Sequence, residues 1–214
     1  MFDFDGLILE TETPAYQSWA EIYREHGHEI PMERWHDYLG SDRGFEPAEH
    51  LAALVGEGLD IAAMQRRRDA RKTELILALD LMEGVREYIA DATRLGLRLG
   101  VASSSSRAWV TGHLERLGIH QHWDAIRTRD DVARTKPAPD LYRSVVDALD
   151  VRPAEAIALE DSANGIASAK AAGLRVVAVP NALTEDMDLS AADLRLASLA
   201  AMPLEAVLAA LRRD

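Results

Sequence analysis

Short apolar segments alternate with helical segments in the part of the chain that follows Gly84. Four of the apolar segments have the length of strands, at 97–102, 125–127, 156–159 and 175–179. Buried strands separated by helices are typical of a parallel, doubly wound sheet, because a parallel pair of strands needs a crossover that a helix supplies. The sequence therefore predicts an α/β fold with a three-layer core.

Residues 13–80 follow a different pattern, in which apolar residues recur at helical spacing and Pro or Gly marks the helix ends. Thr13 and Pro14 suit the start of the first helix. The fourth helix carries the basic stretch 66–68, which we interpret as a solvated face. We predict a four-helix cap at 13–80, inserted into a catalytic core formed by residues 1–12 and 81–214.

The first strand is unusually short in the sequence. Only Met1 and Phe2 precede Asp3, whereas a central strand has about five residues. We expect either that the natural polypeptide begins several apolar residues earlier or that this strand is abnormally short.

Composition excludes several classes of function. The chain has 36 acidic and 24 basic residues among 214, and its net charge of −12 argues against a nucleic-acid partner. The absence of cysteine excludes disulfides, thiolate metal sites and cysteine nucleophiles. No apolar run approaches the roughly 20 residues of a membrane span, and no secretory signal opens the chain. We expect a cytoplasmic protein, a monomer or weak dimer, that does not bind membranes.

Polar motifs occur where a doubly wound sheet concentrates its ligands, beyond the carboxyl ends of strands. They are Asp3-Phe4-Asp5-Gly6, the serine run from Ser103, Lys136-Pro137 and Glu160-Asp161-Ser162. Clustered carboxylates repel one another unless a cation lies among them. Hard oxygen ligands without cysteine favour Mg²⁺ over Zn²⁺ or Cu²⁺. A lysine and a serine hydroxyl nearby would complete a site for an anion bridged by that metal.

These motifs, in this order, resemble the four motifs of the haloacid-dehalogenase-like hydrolases. The helical insertion after the first motif is similar to the cap of the β-phosphoglucomutase and phosphoglycolate-phosphatase branch. The resemblance implies that Asp3 is a nucleophile that forms an aspartyl-phosphate and that Asp5 is first the general acid and then the general base. It also implies that Ser103 and Lys136 hold the phosphoryl oxygens, with Ser104 as a substrate contact.

The same resemblance implies a Mg²⁺ site. Its expected ligands are Asp3, the carbonyl of Asp5 and Asp161, with Glu160 close by or bound through water. A small phosphorylated molecule is the expected partner.

Two departures from the family pattern and one further resemblance bear on function. Glu10 stands where an aspartate is frequent, and we expect it still to cap the linker into the helical module. Ala15 stands where the mutase has a histidine that assists phosphate return, which argues against a mutase. In the loop Gly40-Ser41-Asp42-Arg43, which resembles a substrate-contact loop, Arg43 is a candidate for binding a distal anionic group of the substrate.

The favoured function is a Mg²⁺-dependent phosphatase for a sugar phosphate or a phosphoglycolate-like monoester. One alternative is a phosphosugar mutase on the same fold, which would isomerise its substrate without releasing phosphate. Another is a phospho-accepting receiver-like domain, but receivers have near 120 residues and lack the helical insertion. We interpret Ser105 or Ser106 as a helix cap and the tryptophans, Trp109 included, as packing residues.

Overall fold

The computed structural model describes residues 1–38, 45–56 and 58–212. Its parallel strands are β1 Gly100–Ala102, β2 Ala125–Arg127, β3 Ile157–Glu160, β4 Arg175–Ala178 and β5 Leu194–Arg195. Strand β1 pairs with β2, and β4 lies between β3 and β5. The carboxyl ends of these strands therefore share one edge of the molecule, as a doubly wound sheet requires.

Residues 1–3 join the two groups of strands. Phe2 forms parallel bridges to Val101 of β1 and to Leu159 of β3. The N–H of Phe2 donates to the Gly100 carbonyl at 2.8 Å, and the N–H of Asp3 donates to the Leu159 carbonyl at 3.0 Å. The spatial order is thus β2, β1, residues 1–3, β3, β4 and β5, and Asp3 leaves the sheet at its centre.

Helices pack on both faces of the sheet. On one face the side chains of Phe2 and Val101 pack against α5 Val85–Arg94, α6 Arg107–Arg116 and α9 Leu204–Leu211. On the other face lie α7 Asp140–Leu149 and α8 Ala163–Ala171, whose apolar residues pack on Ala102 and Val176. Neighbouring strand residues point to opposite faces, which explains why the central residues of β1, β3 and β4 are apolar on both sides. Single-turn 3₁₀ helices lie at His120–His122, Arg129–Asp131, Pro153–Glu155 and Leu199–Ala201.

The first four helices of the described chain are α1 Glu12–Glu25, α2 Met32–Tyr38, α3 Pro47–Val55 and α4 Ile61–Leu77. They share a separate apolar cluster that includes Trp19, Tyr23, Trp35, Leu51 and Met64. Two ion pairs join α4 to α1: Arg71 contacts Glu21 at 3.0 Å, and Arg67 contacts Glu25. The two helices therefore run antiparallel, with the start of α1 beside the later part of α4.

The entry into α1 differs in detail from the expectation. The helix begins at Glu12 rather than after a Thr13 cap, and the Thr11 side chain makes no capping hydrogen bond. Instead the Glu10 carboxylate accepts from the N–H groups of Glu12 and Thr13 at 2.9 and 3.0 Å. The predicted capping by Glu10 is confirmed, and Thr13 is not the N-cap of α1.

The predicted α/β fold with parallel strands is confirmed. The four predicted strands are present with ends shifted by up to three residues, whereas the two-residue strand β5 has no counterpart in the prediction. The division into 1–12 with 81–214 and 13–80 stays a prediction. None of the described helices is both long and apolar enough to cross a membrane.

Candidate active site

The polar residues predicted from the motifs lie together at the carboxyl edge of the sheet. Asp3 follows Phe2, Ser103 follows β1, Glu160 ends β3, and Lys136 lies in the loop before α7. Asp3, Ser103, Lys136, Glu160 and Asp161 are each at most 7% exposed. Because charged side chains are rarely buried without partners, their contacts decide what this cluster can do.

Lys136 joins two of the carboxylates. Its Nζ lies 2.5 Å from Asp3 Oδ1 and 2.6 Å from Glu160 Oε1. Burial disfavours the charge of Lys136, but the two carboxylates outweigh burial and raise its pKa above the usual value. Lys136 is therefore a fixed cation beside Asp3.

The acidic groups exceed what one lysine can neutralise. Burial, then the charge of Glu160, raises the pKa of Asp3 to about 8 despite the opposing effect of Lys136. Burial and the charges of Asp3 and Glu160 raise the pKa of Asp161 well above its usual range. These shifts indicate a place where a further cation would be stabilised.

A divalent ion fits this cluster. Asp3, Glu160 and Asp161 each offer a carboxylate oxygen, and the three oxygens lie within 4.8 Å of one another. Octahedral Mg²⁺ has oxygen ligands at about 2.0–2.1 Å, so opposite ligands are about 4 Å apart. Glu160 Oε1 already accepts from Lys136 and from the Tyr142 hydroxyl, each at 2.6 Å. Asp3 and Asp161 are therefore freer than Glu160 to bind a metal.

Gly6 and Asn181 position the Asp161 carboxylate. The Asn181 amide donates to Asp161 Oδ2 at 2.8 Å. Gly6 has a positive φ of 82°, and a Cβ there would lie 2.2 Å from Asp161 Oδ2. Any other residue at position 6 would displace this carboxylate, so the glycine of the first motif belongs to the site as much as its two aspartates.

Asp5 lies in a different environment from Asp3. Its Oδ1 accepts from the Thr11 hydroxyl at 2.9 Å and from the Trp109 indole N–H at 3.0 Å. Its Oδ2 accepts from the hydroxyls of Ser105 at 2.7 Å and Ser103 at 3.2 Å. Four neutral donors thus hold the Asp5 carboxylate, which is not among the three carboxylates that cluster in the described residues. The expected metal ligand at this position, the Asp5 backbone carbonyl, stays a prediction.

The helix cap predicted at Ser105 or Ser106 is confirmed at Ser106. Ser106 caps α6 by accepting from the N–H of Trp109 at 3.3 Å, whereas Ser105 binds Asp5 and is no cap. The Ser104 hydroxyl is buried and has no hydrogen-bond partner in the part of the chain that the structure describes. Ser104 is therefore available to a bound molecule.

Several contacts of the site involve residues outside the four motifs. Trp109 was interpreted as a packing residue, yet its indole N–H binds Asp5, so that interpretation is wrong for its polar edge. Thr11, Ser105, Tyr142 and Asn181 each hold one of the carboxylates. Hydroxyl residues beside two of the motifs could have indicated the contacts of Thr11 and Ser105. Nothing in the sequence indicated the contacts of Tyr142 and Asn181.

Two charged groups of the helical residues 13–80, Lys72 and Glu12, lie close to Asp5 and its partners. Lys72 of α4 lies with its Nζ 4.6 Å from the centre of the Trp109 ring. Burial of the Glu12 carboxyl, together with the charges of Asp5 and Glu10, raises its pKa to about 8.

The stretch 66–68 is not uniformly solvated as predicted, because Arg68 is only 8% exposed. Arg43, the predicted ligand of a distal anion, lies outside the described residues.

Comparison with known proteins agrees with this geometry. The family described as haloacid dehalogenase-like hydrolase matches residues 1–179. "Putative phosphatase YhcW" of Bacillus subtilis is 42% identical over 211 residues, which cover 97% of this chain and 94% of that protein. Fructose-1-phosphate phosphatase YqaB of Escherichia coli is 30% identical over 182 residues, 84% of this chain and 94% of that protein.

A solved structure extends the agreement to three dimensions. A CbbY variant from Rhodobacter sphaeroides in complex with xylulose-(1,5)bisphosphate superposes with a TM-score of 0.71 at 32% identity, over 93% of each chain. These similarities agree with the parallel sheet and with the four motifs at its carboxyl edge. The chain belongs to the haloacid dehalogenase-like hydrolases.

Proposed function

We propose that this chain is a Mg²⁺-dependent phosphatase of a small organic monoester, a sugar phosphate or phosphoglycolate-like compound, and that it acts through an aspartyl-phosphate. Its class as a phosphoric monoester hydrolase follows from its family and from the phosphatases among its relatives. The substrate, the metal and the intermediate are the proposed part. Relatives named for fructose 1-phosphate or bound to xylulose-(1,5)bisphosphate support a sugar phosphate.

The proposal is carried by the contrast between the two aspartates of the first motif. Asp3 lies against Lys136 and two buried carboxylates, and Asp5 is held by four neutral donors. A phosphatase that uses a covalent intermediate needs one carboxylate as nucleophile and a second as proton carrier. We assign Asp3 to the first role and Asp5 to the second.

In the first step Asp3 attacks the phosphorus, the ester bond to the leaving oxygen breaks, and Asp5 gives that oxygen a proton. In the second step Asp5 takes a proton from a water that attacks the phosphorus of the aspartyl-phosphate, and inorganic phosphate leaves. Thr11 and Trp109 keep the Asp5 carboxyl in one orientation for both transfers.

Lys136, Ser103 and Ser104 are the proposed ligands of the phosphoryl oxygens. The Lys136 ammonium offsets the negative charge of both the nucleophile and the substrate. Ser104 has an unused hydroxyl, and Ser103 would turn its hydroxyl from Asp5 to the phosphoryl group. Asp3, Asp161 and the Asp5 carbonyl would hold Mg²⁺, with Glu160 close by, and the bound ion would neutralise charge on the phosphoryl oxygens.

We further propose that the four helices of residues 13–80 form a cap over this edge of the sheet. Their apolar cluster is separate from the two clusters that cover the sheet, and Lys72 and Glu12 place polar groups beside Asp5. A cap of this kind would exclude water from the first step and admit it for the second.

The test compares Asp3→Asn and Asp5→Asn with the wild-type chain, with Mg²⁺ present. Asp3→Asn should reduce turnover to background and form no phosphoenzyme. Asp5→Asn should be nearly inactive on ordinary esters, but with an activated ester, whose leaving group needs no proton, it should accumulate phosphate on Asp3. Mass spectrometry of the quenched protein would find one added phosphate on the peptide that contains Asp3.

Four outcomes would contradict the assignment. Hydrolysis undiminished in Asp3→Asn, or phosphate found on Asp161, would remove Asp3 as nucleophile. Isomerisation of a phosphosugar without release of phosphate would favour the mutase, although Ala15 offers no group that could transfer a proton. A persistent wild-type phosphoenzyme without turnover would favour a receiver-like function.

A further inference from the structure

The Glu160 carboxylate, fully buried at the end of β3, is held by residues of three different segments. Its Oε1 accepts from Lys136 Nζ and from the Tyr142 hydroxyl, each at 2.6 Å. A Cβ at Gly165 would lie 1.9 Å from Oε2 and 2.2 Å from Oε1, so the carboxylate lies directly against the first turn of α8. Oε2 lies 3.5 Å from the Ser162 hydroxyl, at the limit of a hydrogen bond, and therefore keeps capacity for another partner.

Tyr142 of α7 contacts both the carboxylate and the lysine. Its hydroxyl donates to Glu160, and the centre of its ring lies 5.2 Å from Lys136 Nζ. Lys136 in turn donates to Asp3 at 2.5 Å, so Tyr142 lies one contact away from the proposed nucleophile. A phenylalanine at position 142 would keep the ring beside the ammonium and remove the hydroxyl alone. The role of this hydrogen bond can therefore be separated from the packing of the ring.

Magnesium and calcium ions differ in how they bind carboxylates. Mg²⁺ takes about six oxygens at roughly 2.0–2.1 Å and keeps several waters, whereas Ca²⁺ takes about six to eight at roughly 2.3–2.6 Å and accepts both oxygens of one carboxylate. Glu160 can give Oε2 to an ion without losing a strong hydrogen bond. To give Oε1 as well, it must break its hydrogen bonds with Tyr142 and Lys136, and these buried donors would lose an acceptor.

We propose that Tyr142 is a positioning residue that increases the preference of the metal site for Mg²⁺ over Ca²⁺, because its hydroxyl keeps Oε1 of Glu160 from the ion. The inference rests on the proposed Mg²⁺ site and adds to it a residue that is not itself a ligand. Asp3 and Asp161 offer oxygens to either ion, so they do not by themselves discriminate. The discrimination arises at Glu160, where the larger ion gains from a second carboxylate oxygen and the smaller ion does not.

The test measures the Kd of Mg²⁺ alone and of Ca²⁺ alone by titration calorimetry of the whole chain after treatment with a chelator, at one pH. The quantity compared is the ratio of the Ca²⁺ Kd to the Mg²⁺ Kd, which measures the preference for Mg²⁺. Tyr142→Phe should lower this ratio by about 10-fold, mainly through tighter binding of Ca²⁺. The reason is that Ca²⁺ then has one hydrogen bond to a charged carboxylate fewer to displace.

Two further variants separate positioning from a purely structural role. Tyr88→Phe is the matched control, since the buried Tyr88 hydroxyl also makes one hydrogen bond, to the Met202 carbonyl at 2.7 Å, and it should leave the ratio unchanged. Glu160→Gln replaces the carboxylate by an amide with a single oxygen, which cannot give two oxygens to an ion. In that background Tyr142→Phe should no longer change the ratio, because the hydroxyl acts through Glu160.

Three results would overturn the inference while leaving the proposed function intact. The first is a ratio that is unchanged or higher in Tyr142→Phe. The second is an equal fall of the ratio in Tyr88→Phe, which is what a general loosening of the core would give. The third is a fall of the ratio that persists when Glu160→Gln is present. A wild-type protein that binds neither ion, and whose hydrolysis of esters does not depend on Mg²⁺, would instead overturn the proposed metal site itself.

Discussion

The charged groups at the carboxyl edge of the sheet and those on α4 are held in opposite ways. At the sheet edge, Lys136 binds Asp3 and Glu160, and Asp161 binds Asn181. On α4, Arg68 is as well buried as they are but has two nitrogen atoms without partners in the described structure. The charged groups at the sheet edge are therefore paired within the protein, whereas Arg68 keeps hydrogen-bonding capacity that the described residues do not use.

The largest effect on activity and stability is expected when Lys136 is removed from the sheet edge. Lys136→Met should lower kcat/KM by about 100- to 1000-fold, because a fixed positive charge beside the nucleophile is lost. It should also lower the free energy of unfolding by about 3–5 kcal/mol in metal-free protein near pH 8, since two buried carboxylates lose their counterion. Steady-state kinetics and urea unfolding measure the two effects.

Lys170→Met provides the control for Lys136→Met. Lys170 pairs with Asp193 at 2.7 Å, but the lysine side chain is 38% exposed. A surface pair of this kind contributes about 0–1 kcal/mol, so both activity and stability should change little. Equal destabilisation by the two substitutions would show that the buried cluster needs no internal cation.

A second prediction concerns the contact between the two regions. Trp109→Phe keeps a ring beneath Lys72 but removes the indole N–H that binds Asp5. We expect kcat to fall by about 10-fold or more with a smaller change in KM, because a hydrogen bond to a charged carboxylate is lost. In Trp123→Phe the lost N–H has no partner among the described residues, so kinetics that changed equally in both variants would contradict a role for the Trp109 hydrogen bond.

The smallest expected effect is a pH dependence at Glu12. Folding raises the pKa of its carboxyl from 4.5 to about 8, through burial and the charges of Asp5 and Glu10. The folded state therefore binds more protons than the unfolded state in this interval, and the contribution of Glu12 to stability is lost as pH rises from about 4.5 to 8. In metal-free protein, Glu12→Gln should reduce the loss of unfolding free energy between pH 5 and pH 8.5 by about 1–3 kcal/mol.

Urea unfolding at the two pH values measures this difference, and Glu49→Gln, at an exposed position of α3, is the control. A wild-type protein that gains stability over this interval relative to Glu12→Gln would have the opposite sign and would mean that Glu12 is ionised in the folded state at low pH.

Local patterns predicted the fold well where they coincide with packing. The apolar pattern predicts a strand at 125–127, which is where β2 lies. Strand β5 has only two residues, one of them exposed, so it carries no apolar pattern, and its pairing with β4 depends on the folded context.

The site was predictable as far as its residues are joined in motifs. Asp3, Lys136, Glu160 and Asp161 were placed together because strand ends converge at one edge. The partners Tyr142 and Asn181 come from elements whose sequence shows only packing or turn patterns, so their contacts arise from the tertiary fold. The sequence did not indicate the burial of Arg68 either, because a run of three arginines is usual on a solvated helix. Only the packing of α4 on α1 distinguishes Arg68 from the other two arginines.

The short segment at the centre of the sheet has a consequence for motion. In the described structure, β1 with β2 and β3 with β4 and β5 are joined through residues 1–3, and Asp3 is the last of them. A fluctuation that separates the two halves of the sheet must therefore move the proposed nucleophile as well. Amide hydrogen exchange at Phe2, Asp3, Ala102 and Leu159 would follow that opening, so the same slow event should govern both local unfolding and the loss of reactive geometry.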